Sequence, residues 1–195
     1  MNDHSNIIGV IVPGKGMGNF ISYISHFKTI NKNTGKKILI FTKSSTSAKL
    51  FLNHQKYIHD IIYLNNDDGI FKKIIFYKDL IKLIKKNCLS EIFILHPSKK
   101  YALACLLAGV NKIYAPGYKW QFFFINKKYR VYKSFFDKTF DPREENDKLL
   151  KNFFSINSLE ENTIDLNNKN NKKYIAICIA TSGLEKQWGI DNYIK

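Results

Sequence analysis

Apolar residues along the chain form short continuous runs, and the stretches between them place apolar residues three or four positions apart. The first run, residues 7–12 (IIGVIV), has the uniform apolar character of a strand that is buried on both faces of a sheet. Four further runs are predicted strands: residues 37–42, 61–64, 91–95 and 112–114. The stretches between the strands are predicted helices: residues 19–31, 44–52, 71–86 and 98–108.

Two details of the helical stretches support this division. Residues 19–31 carry Phe20, Ile24 and Phe27 on one helical face, and residues 98–108 end at Gly109, a usual C-terminal cap. Strands that alternate with helices imply right-handed crossover connections, and therefore a parallel sheet with helices on both faces. The sequence thus predicts an α/β fold with a Rossmann-like domain.

The pattern changes towards the carboxyl end of the chain. Residues 129–154 are helical in pattern and more polar, whereas residues 162–173 are rich in Asn, Asp and Lys, as in a linker. Residues 174–179 are a further apolar run, predicted to be a strand, and a loop and the start of a helix come after it. Because a single strand has no neighbours to bury it, we expect a second domain that is truncated in this sequence. The predicted organisation is a first domain over 1–160, a linker over 161–173 and the start of the second domain over 174–195.

The charge of the chain is strongly positive. It has 31 Lys and Arg residues against 16 Asp and Glu residues, a net charge of +15, and Arg130 and Arg143 are the only arginines. Proteins that read nucleic-acid sequence use Arg for bidentate contacts, so a charge made almost entirely of Lys argues against a nucleic-acid partner. An excess of Lys, Asn and Ile is typical of AT-rich coding. The surplus charge is still expected to attract nucleotides and phosphorylated lipid headgroups.

Cysteine usage and apolar content bear on the compartment. Cys88, Cys105 and Cys178 form no CxxC pair, and the last two lie within apolar runs, as reduced core cysteines do. The sequence opens without a leader-like segment, and no apolar stretch approaches 18 residues. We therefore expect a cytoplasmic protein whose contact with the inner membrane is at most peripheral.

A glycine-rich loop, residues 13–18 (PGKGMG), separates the first strand from the first helix, where parallel sheets bind ligands. It is not a P-loop, because Gly16 stands where Ser or Thr would bind the metal, and the dinucleotide fingerprint fails because its third glycine falls on Asn19. Two interpretations remain open. The glycines form a simple turn, or their bare backbone lets a substrate approach Lys15, Gly16, Met17 and Gly18 closely.

A second polar loop, residues 180–188 (ATSGLEKQW), follows the late strand. Hydroxyl groups, a glycine and a lysine between a strand and a helix N-terminus suit a diphosphate, whose charge the backbone N–H groups and the helix dipole stabilise. Loops of this composition are also common as ordinary turns.

Several segments, taken in order, resemble a known family. GMGNFISYISHFKTI is similar to the "GxGD" opening of glycosyltransferase family 9, the heptosyltransferases of lipopolysaccharide core assembly. EIFILHPSKKYALACLLAGVNKIYAPGYKW resembles a strand–helix segment of that family, and FFFINKKYRV resembles its "LFYNRKH" stretch. IATSGLEKQW is similar to its phosphate-binding "HATTRDDKHWP" loop. The resemblance covers the whole chain. It depends on the order and spacing of these segments, because no single motif is decisive.

The resemblance implies a GT-B architecture, in which two Rossmann-like domains face a cleft. The N-terminal domain would receive the acceptor, and the C-terminal domain would bind a nucleotide-sugar, usually ADP-heptose, as a substrate. The reaction would be inverting and would need no metal or other cofactor. A carboxylate in the glycine loop would act as the general base. Lys186 would neutralise the departing diphosphate, and Thr181 and Ser182 would donate hydrogen bonds to it.

The chain departs from the family pattern at the base itself, because the catalytic Asp of "GxGD" falls on Asn19. An amide is not basic and cannot take the proton from the acceptor. Either another group is the base, or the protein is a weak catalyst, or its role has changed. His26 is a poor substitute and is better explained as a helix-face residue. His96, just after the fourth strand, is the better candidate because it lies at the carboxyl edge of the sheet.

An aromatic segment offers a further surface. Its aromatic residues, Tyr118, Trp120, Phe122, Phe123 and Phe124, alternate with the cations Lys119, Lys127, Lys128 and Arg130. The segment suits an anionic membrane interface, and it equally suits a core in which the aromatics are packed and the lysines are solvated. Stacking on nucleic-acid bases is the least favoured interpretation.

The leading hypothesis is a glycosyltransferase that adds a heptose or a related sugar to a lipopolysaccharide core acceptor. One alternative is a GT-B transferase that uses another nucleotide-sugar and glycan. The other is a non-catalytic, basic, Rossmann-like binding protein, which Asn19 favours.

Overall fold

A computed structural model describes residues 6–14, 16–64, 70–135 and 141–164 of the chain, all within the first of its two compact units, residues 1–165. The strands in these ranges are β1 (Ile7–Val12), β2 (Lys37–Lys43), β3 (Ile58–Leu64), β4 (Glu91–Ile94) and β5 (Lys112–Tyr114). The α-helices in these ranges are α1 (Met17–Ile21), α2 (Ile24–Thr34), α3 (Lys49–Leu52), α4 (Ile70–Lys86), α5 (Lys99–Ala108) and α6 (Pro142–Phe154).

The described strands form one parallel sheet in the order β3-β2-β1-β4-β5. β1 lies in the middle, where it pairs with β2 on one side and with β4 on the other. Every pairing is parallel, which confirms the predicted sheet. The position of β1 explains its uniform apolar character, because a central strand covered on both faces has no side exposed to water.

Helices cover both faces of the sheet, as predicted. Ile8 and Val10 of β1 belong to one core cluster, which includes Phe27 of α2 and Leu150 of α6. Ile11 of β1 points to the opposite face and joins a second cluster with residues of α4 and α5. Cys105 is buried in that second cluster, so its prediction as a small core residue is confirmed. Gly109 ends α5 in the left-handed conformation, with φ 84°, which confirms the predicted cap.

The predicted helix over 19–31 is divided in the structure. Ser22 Oγ donates a 2.7 Å hydrogen bond to the carbonyl oxygen of Asn19, which an unbroken helix would pair with the N–H of Tyr23. That N–H instead bonds to Phe20 O at 3.0 Å, so α1 ends at Ile21 and α2 begins at Ile24. A serine hydroxyl that competes for backbone partners is a common cause of such breaks. The predicted apolar face is nevertheless confirmed, since Phe20, Ile24 and Phe27 are fully buried.

Other differences lie at element ends. The predicted helix over 44–52 consists of a 3-10 helix, Ser44–Thr46, and the short α3, because Ser47 between them has a left-handed φ of 51°. β3 begins three residues before the predicted strand. The predicted strand at 174–179 and the polar loop at 180–188 lie outside the described residues, so the proposed domain boundaries stay predictions. Within the described ranges, no helix has both the length and the apolar character that crossing a bilayer requires.

Candidate functional site

A cleft lies at the carboxyl edge of the sheet. From β1 the chain passes to β2 on one side, and β4 lies on the other side, so the connections that follow β1 and β4 diverge and leave a crevice. Ligands of parallel α/β sheets bind at such a switch point. The cleft has a volume of about 570 Å³. Its lining residues are Gly14, Gly18, Asn19, Ser22, Tyr23, Leu95, His96, Pro97, Asp141 and Arg143.

The glycine loop forms one wall of the cleft. Gly16 has φ 84°, a left-handed value that favours glycine, so the turn alone accounts for this residue. Gly14 and Gly18 differ, because a Cβ atom added to either would meet no atom within 4 Å and neither has a positive φ. Both line the cleft, where their bare backbone leaves room for a ligand. Met17, 43% exposed, begins α1, and Lys15 lies outside the described residues.

The break between α1 and α2 places Asn19, Ser22 and Tyr23 in the same cleft. Of these three residues, Tyr23 alone has a titratable side chain. Burial raises the pKa of its phenol, a hydrogen bond with Asn146 opposes the rise, and the carboxylates of Asp141 and Asp147 add to it. The phenol therefore stays protonated at neutral pH and can act as a hydrogen-bond donor to a ligand.

His96 follows β4 and is held by three contacts. Its Nδ1 accepts the N–H of Ser98 at 3.1 Å, its carbonyl oxygen accepts from Gln121 Nε2 at 2.8 Å, and its ring meets Tyr101 edge-on. Burial, followed by the charges of Lys100 and Lys43, lowers the pKa of His96 to about 4. The ring is therefore neutral at pH 7. Because Nδ1 accepts a hydrogen bond, the proton is on Nε2, and His96 presents a donor rather than a base.

The start of α6 closes the cleft with a carboxylate and a guanidinium. Asp141 caps the helix, since its Oδ1 accepts the N–H groups of Arg143 at 2.8 Å and Glu144 at 2.9 Å. Pro142 occupies the first turn, where its fixed φ suits a helix start. Sequence reasoning missed Asp141 and Arg143 as site residues. The sequence Asp141-Pro142 predicts the start of a helix, but only the packing of α6 brings this start to the carboxyl edge of the sheet.

His26 is a structural residue. It is 2% exposed, its Nε2 lies 2.8 Å from Asp147 Oδ1, and it is not among the lining residues of the cleft. Burial alone would raise the pKa of Asp147, but the hydrogen bond with His26 and the charges of His26, Lys151 and Arg143 together outweigh it and lower that pKa. The contact ties α2 to α6, as expected for a helix-face histidine.

The aromatic segment divides between core and surface. Phe124 packs against the core, and Arg130 stacks on the Phe122 ring, with its guanidinium carbon 3.3 Å from the ring centroid, while its Nη1 donates to Phe122 O at 2.6 Å. Trp120 and Phe123 are 57% and 62% exposed. With Phe135 they form an aromatic cluster, whose ring centroids are 5.4–5.9 Å apart. We call Trp120, Phe123 and Phe135 the aromatic surface.

Lysines border the aromatic surface, and it adjoins the cleft. Lys99 Nζ lies 5.1 Å from the centroid of the Trp120 ring. A shallow groove lined by Lys99, Lys119 and Trp120 shares His96 and Pro97 with the cleft, so the two concavities are adjacent. Among the residues that the structure describes, no three His, Cys, Asp or Glu side chains are grouped as a metal site requires. Thr181, Ser182 and Lys186, the predicted diphosphate ligands, lie outside the described residues.

Comparisons with known proteins give structural relatives only. No protein-family model matches the sequence, and no curated protein sequence matches it significantly. A family 9 glycosyl transferase from Veillonella parvula DSM 2008 has a similar structure, with a TM-score of 0.55 and 12% identity, over 82% of this chain and 43% of that one.

Two structures of the E. coli heptosyltransferase WaaC are also similar. The one with ADP-2-deoxy-2-fluoro heptose has a TM-score of 0.54 and 10% identity, over 77% of this chain and 49% of that one. The one with ADP has a TM-score of 0.52 and 11% identity, over 74% and 46%. This chain spans less than half the length of these structures. The predicted resemblance is therefore confirmed at the level of the fold: the chain has the α/β fold found in these family 9 and heptosyltransferase structures.

Proposed function

We propose that this chain is the acceptor-binding part of an inverting glycosyltransferase that moves a heptose or a related sugar from a nucleotide-sugar to a lipopolysaccharide core acceptor. The observation that carries the proposal is a cleft of about 570 Å³ at the switch point between β1 and β4. Its lining offers hydrogen-bond donors and both signs of charge, which suit a polar, anionic saccharide. The fold shared with heptosyltransferase structures that hold ADP or an ADP-heptose analogue supports ADP-heptose as the donor.

The donor would bind to the loop at 180–188, with no metal or other cofactor. In this arrangement Lys186 neutralises the departing diphosphate, and Thr181 and Ser182 donate hydrogen bonds to it. The acceptor would enter along the glycine loop, over Gly14 and Gly18. The transfer would take place in the cytoplasm, at the inner membrane, where the aromatic surface and its lysines would contact anionic lipid headgroups.

A transfer assay with the complete gene product tests the proposal. We expect release of ADP from ADP-heptose, and gain of one heptose by the acceptor in mass spectrometry, only when donor and acceptor are both present. Lys186→Ala is expected to lower the rate by roughly 10²–10³, by analogy with the loss of one oxyanion-hole donor. Lys173→Ala, in the predicted linker, is the matched control and should retain the rate.

Two alternatives predict other outcomes. A GT-B transferase with another nucleotide-sugar would release its nucleoside diphosphate in the same assay when the donors are varied. A non-catalytic binding protein, which the amide of Asn19 favours, would bind nucleotides or anionic glycans in calorimetry and release no diphosphate from any donor. An unchanged nucleotide affinity in Lys186→Ala would contradict the donor-site assignment.

A further inference from the structure

The proposed transfer, on which this inference rests, needs a group that takes the proton of the acceptor hydroxyl. Asn19 cannot supply it, because an amide is not a base at neutral pH. Arg143 is excluded too, because a guanidinium group has donors and no acceptor. The remaining titratable groups among the described residues that line the cleft are Tyr23, His96 and Asp141.

Two of these three residues, Tyr23 and His96, are hydrogen-bond donors in the structure. The phenol of Tyr23 is kept protonated chiefly by its burial. The Nδ1 atom of His96 is occupied by the N–H of Ser98, which leaves a proton on Nε2. Each can hold a sugar hydroxyl by donating to its oxygen, but neither can remove a proton from it. The carboxylate of Asp141 is the group that remains.

The geometry of Asp141 suits this role. The side chain is exposed at the cleft, and both hydrogen bonds of the helix cap use the same oxygen, Oδ1. The cap thus fixes the orientation of the carboxylate and leaves Oδ2 as an acceptor for a ligand. Arg143 lines the same cleft and can hold a negatively charged group of the acceptor beside it.

We infer that Asp141 is the general base of the transfer and replaces the carboxylate that position 19 lacks. Asp141 Oδ2 takes the proton of the acceptor hydroxyl as that oxygen forms a bond to the anomeric carbon of the donor sugar. The bond from the anomeric carbon to the phosphate oxygen breaks, and its electron pair leaves with the nucleoside diphosphate. The protonated Asp141 then returns its proton to water. The base would thus lie at the start of α6, and not at position 19 in α1.

Three variants of the complete gene product test the inference. Asp141→Asn keeps the cap, because Asn and Asp are equally good N-cap residues, but it cannot accept the proton. We expect its transfer rate to fall by about 10²–10⁴ while its melting temperature and donor affinity stay near those of the wild type. Asn19→Asp in the Asp141→Asn background should raise the rate at least about tenfold, because it returns a carboxylate to the opposite wall of the same cleft.

Glu144→Gln is the matched control. It removes one negative charge from the same turn of α6, and Glu144 is 63% exposed and paired with Lys148 at 2.7 Å, outside the cleft. Its rate should stay within about threefold of the wild type, because exposed ion pairs contribute little. Full activity in Asp141→Asn would overturn the inference, and so would a loss that Asn19→Asp does not relieve. If wild type and Asn19→Asp both release no nucleoside diphosphate from any donor, the proposed function fails, and the inference falls with it.

Discussion

His96 shows how its surroundings set the chemistry of one residue. The sequence places it just after a buried strand, which makes it a candidate base. In the structure, burial and two lysines favour the neutral ring, and a backbone N–H occupies Nδ1. The outcome is a hydrogen-bond donor at the floor of the cleft. Ser98 and Lys100 are close to His96 in sequence, whereas the burial of the ring and the approach of Lys43 at the end of β2 come from the fold.

The lowered pKa of His96 makes a prediction about stability and pH. In the unfolded chain the ring takes up a proton near pH 6.5, whereas in the folded chain it does so only near pH 4. Between these values the unfolded state binds more protons, so the free energy of unfolding falls as the pH falls from about 6.5 to about 4. The contribution of His96 is on the order of 3 kcal/mol.

Urea denaturation at several pH values measures this dependence. His96→Gln should flatten the fall in the free energy of unfolding between pH 6.5 and pH 4. The exposed His54 provides the control, since His54→Gln should leave the slope unchanged. Equal slopes in wild type and His96→Gln would show that the ring is not held neutral in the fold.

At the scale of elements, α6 is the helix that completes the site. Leu149 and Leu150 of α6 join the core cluster that contains residues of α2. Asp147 of α6 also pairs with His26 of α2. This packing carries the start of α6, with Asp141 and Arg143, to the carboxyl edge of β1 and β4. The sequence predicts helical character here, but only packing decides which edge of the sheet the helix start reaches.

Truncation of a buried leucine tests the docking of α6. Leu150 is fully buried and Leu50 of α3 is 78% exposed, so the same substitution compares a core site with a surface site. Leu150→Ala should lower the free energy of unfolding by about 2–5 kcal/mol, because it removes buried apolar surface and leaves a cavity.

Leu50→Ala is the control and should change the same free energy by less than about 0.5 kcal/mol. Thermal or urea denaturation of the two variants gives the comparison. Similar small effects at both positions would mean that α6 is not part of this core.

At the scale of the whole molecule, the net charge of +15 and the aromatic surface together predict binding to anionic membranes. Trp120 and Phe123 expose apolar rings beside lysines, and this combination suits an anionic lipid interface. The groove beside this surface shares His96 and Pro97 with the cleft, so the two lie next to each other. The same segment also holds core residues such as Phe124, so the packed-core interpretation applies to part of it, and membrane contact stays a prediction for the exposed part.

Vesicle co-sedimentation tests this surface. Binding to vesicles that contain phosphatidylglycerol should exceed binding to pure phosphatidylcholine, and salt should weaken it, because charges are screened beyond about 8 Å at physiological ionic strength. Replacement of Trp120 and Phe123 together by Ala should reduce binding several-fold, whereas Leu50→Ala, at another exposed apolar residue, should not. Equal, salt-independent binding to both kinds of vesicle would contradict the proposal.

Local pattern alone determined much of this protein. The order of strands and helices, the parallel sheet, the buried face of Phe20, Ile24 and Phe27, and the cap at Gly109 all follow from periodicity and backbone preference, which depend on near neighbours. The amide at Asn19, where the resemblance would place a carboxylate, was equally visible, because it is a property of one position in the sequence.

The tertiary structure alone decided how the site is composed. Asp141 and Arg143 are far from Asn19 in sequence, and they meet it only because α6 packs on the face of the sheet that α2 covers. The division of the aromatic segment between core and surface likewise depends on contacts between residues that are far apart in sequence. Such contacts have no periodicity along the chain, so no pattern in the sequence predicts them.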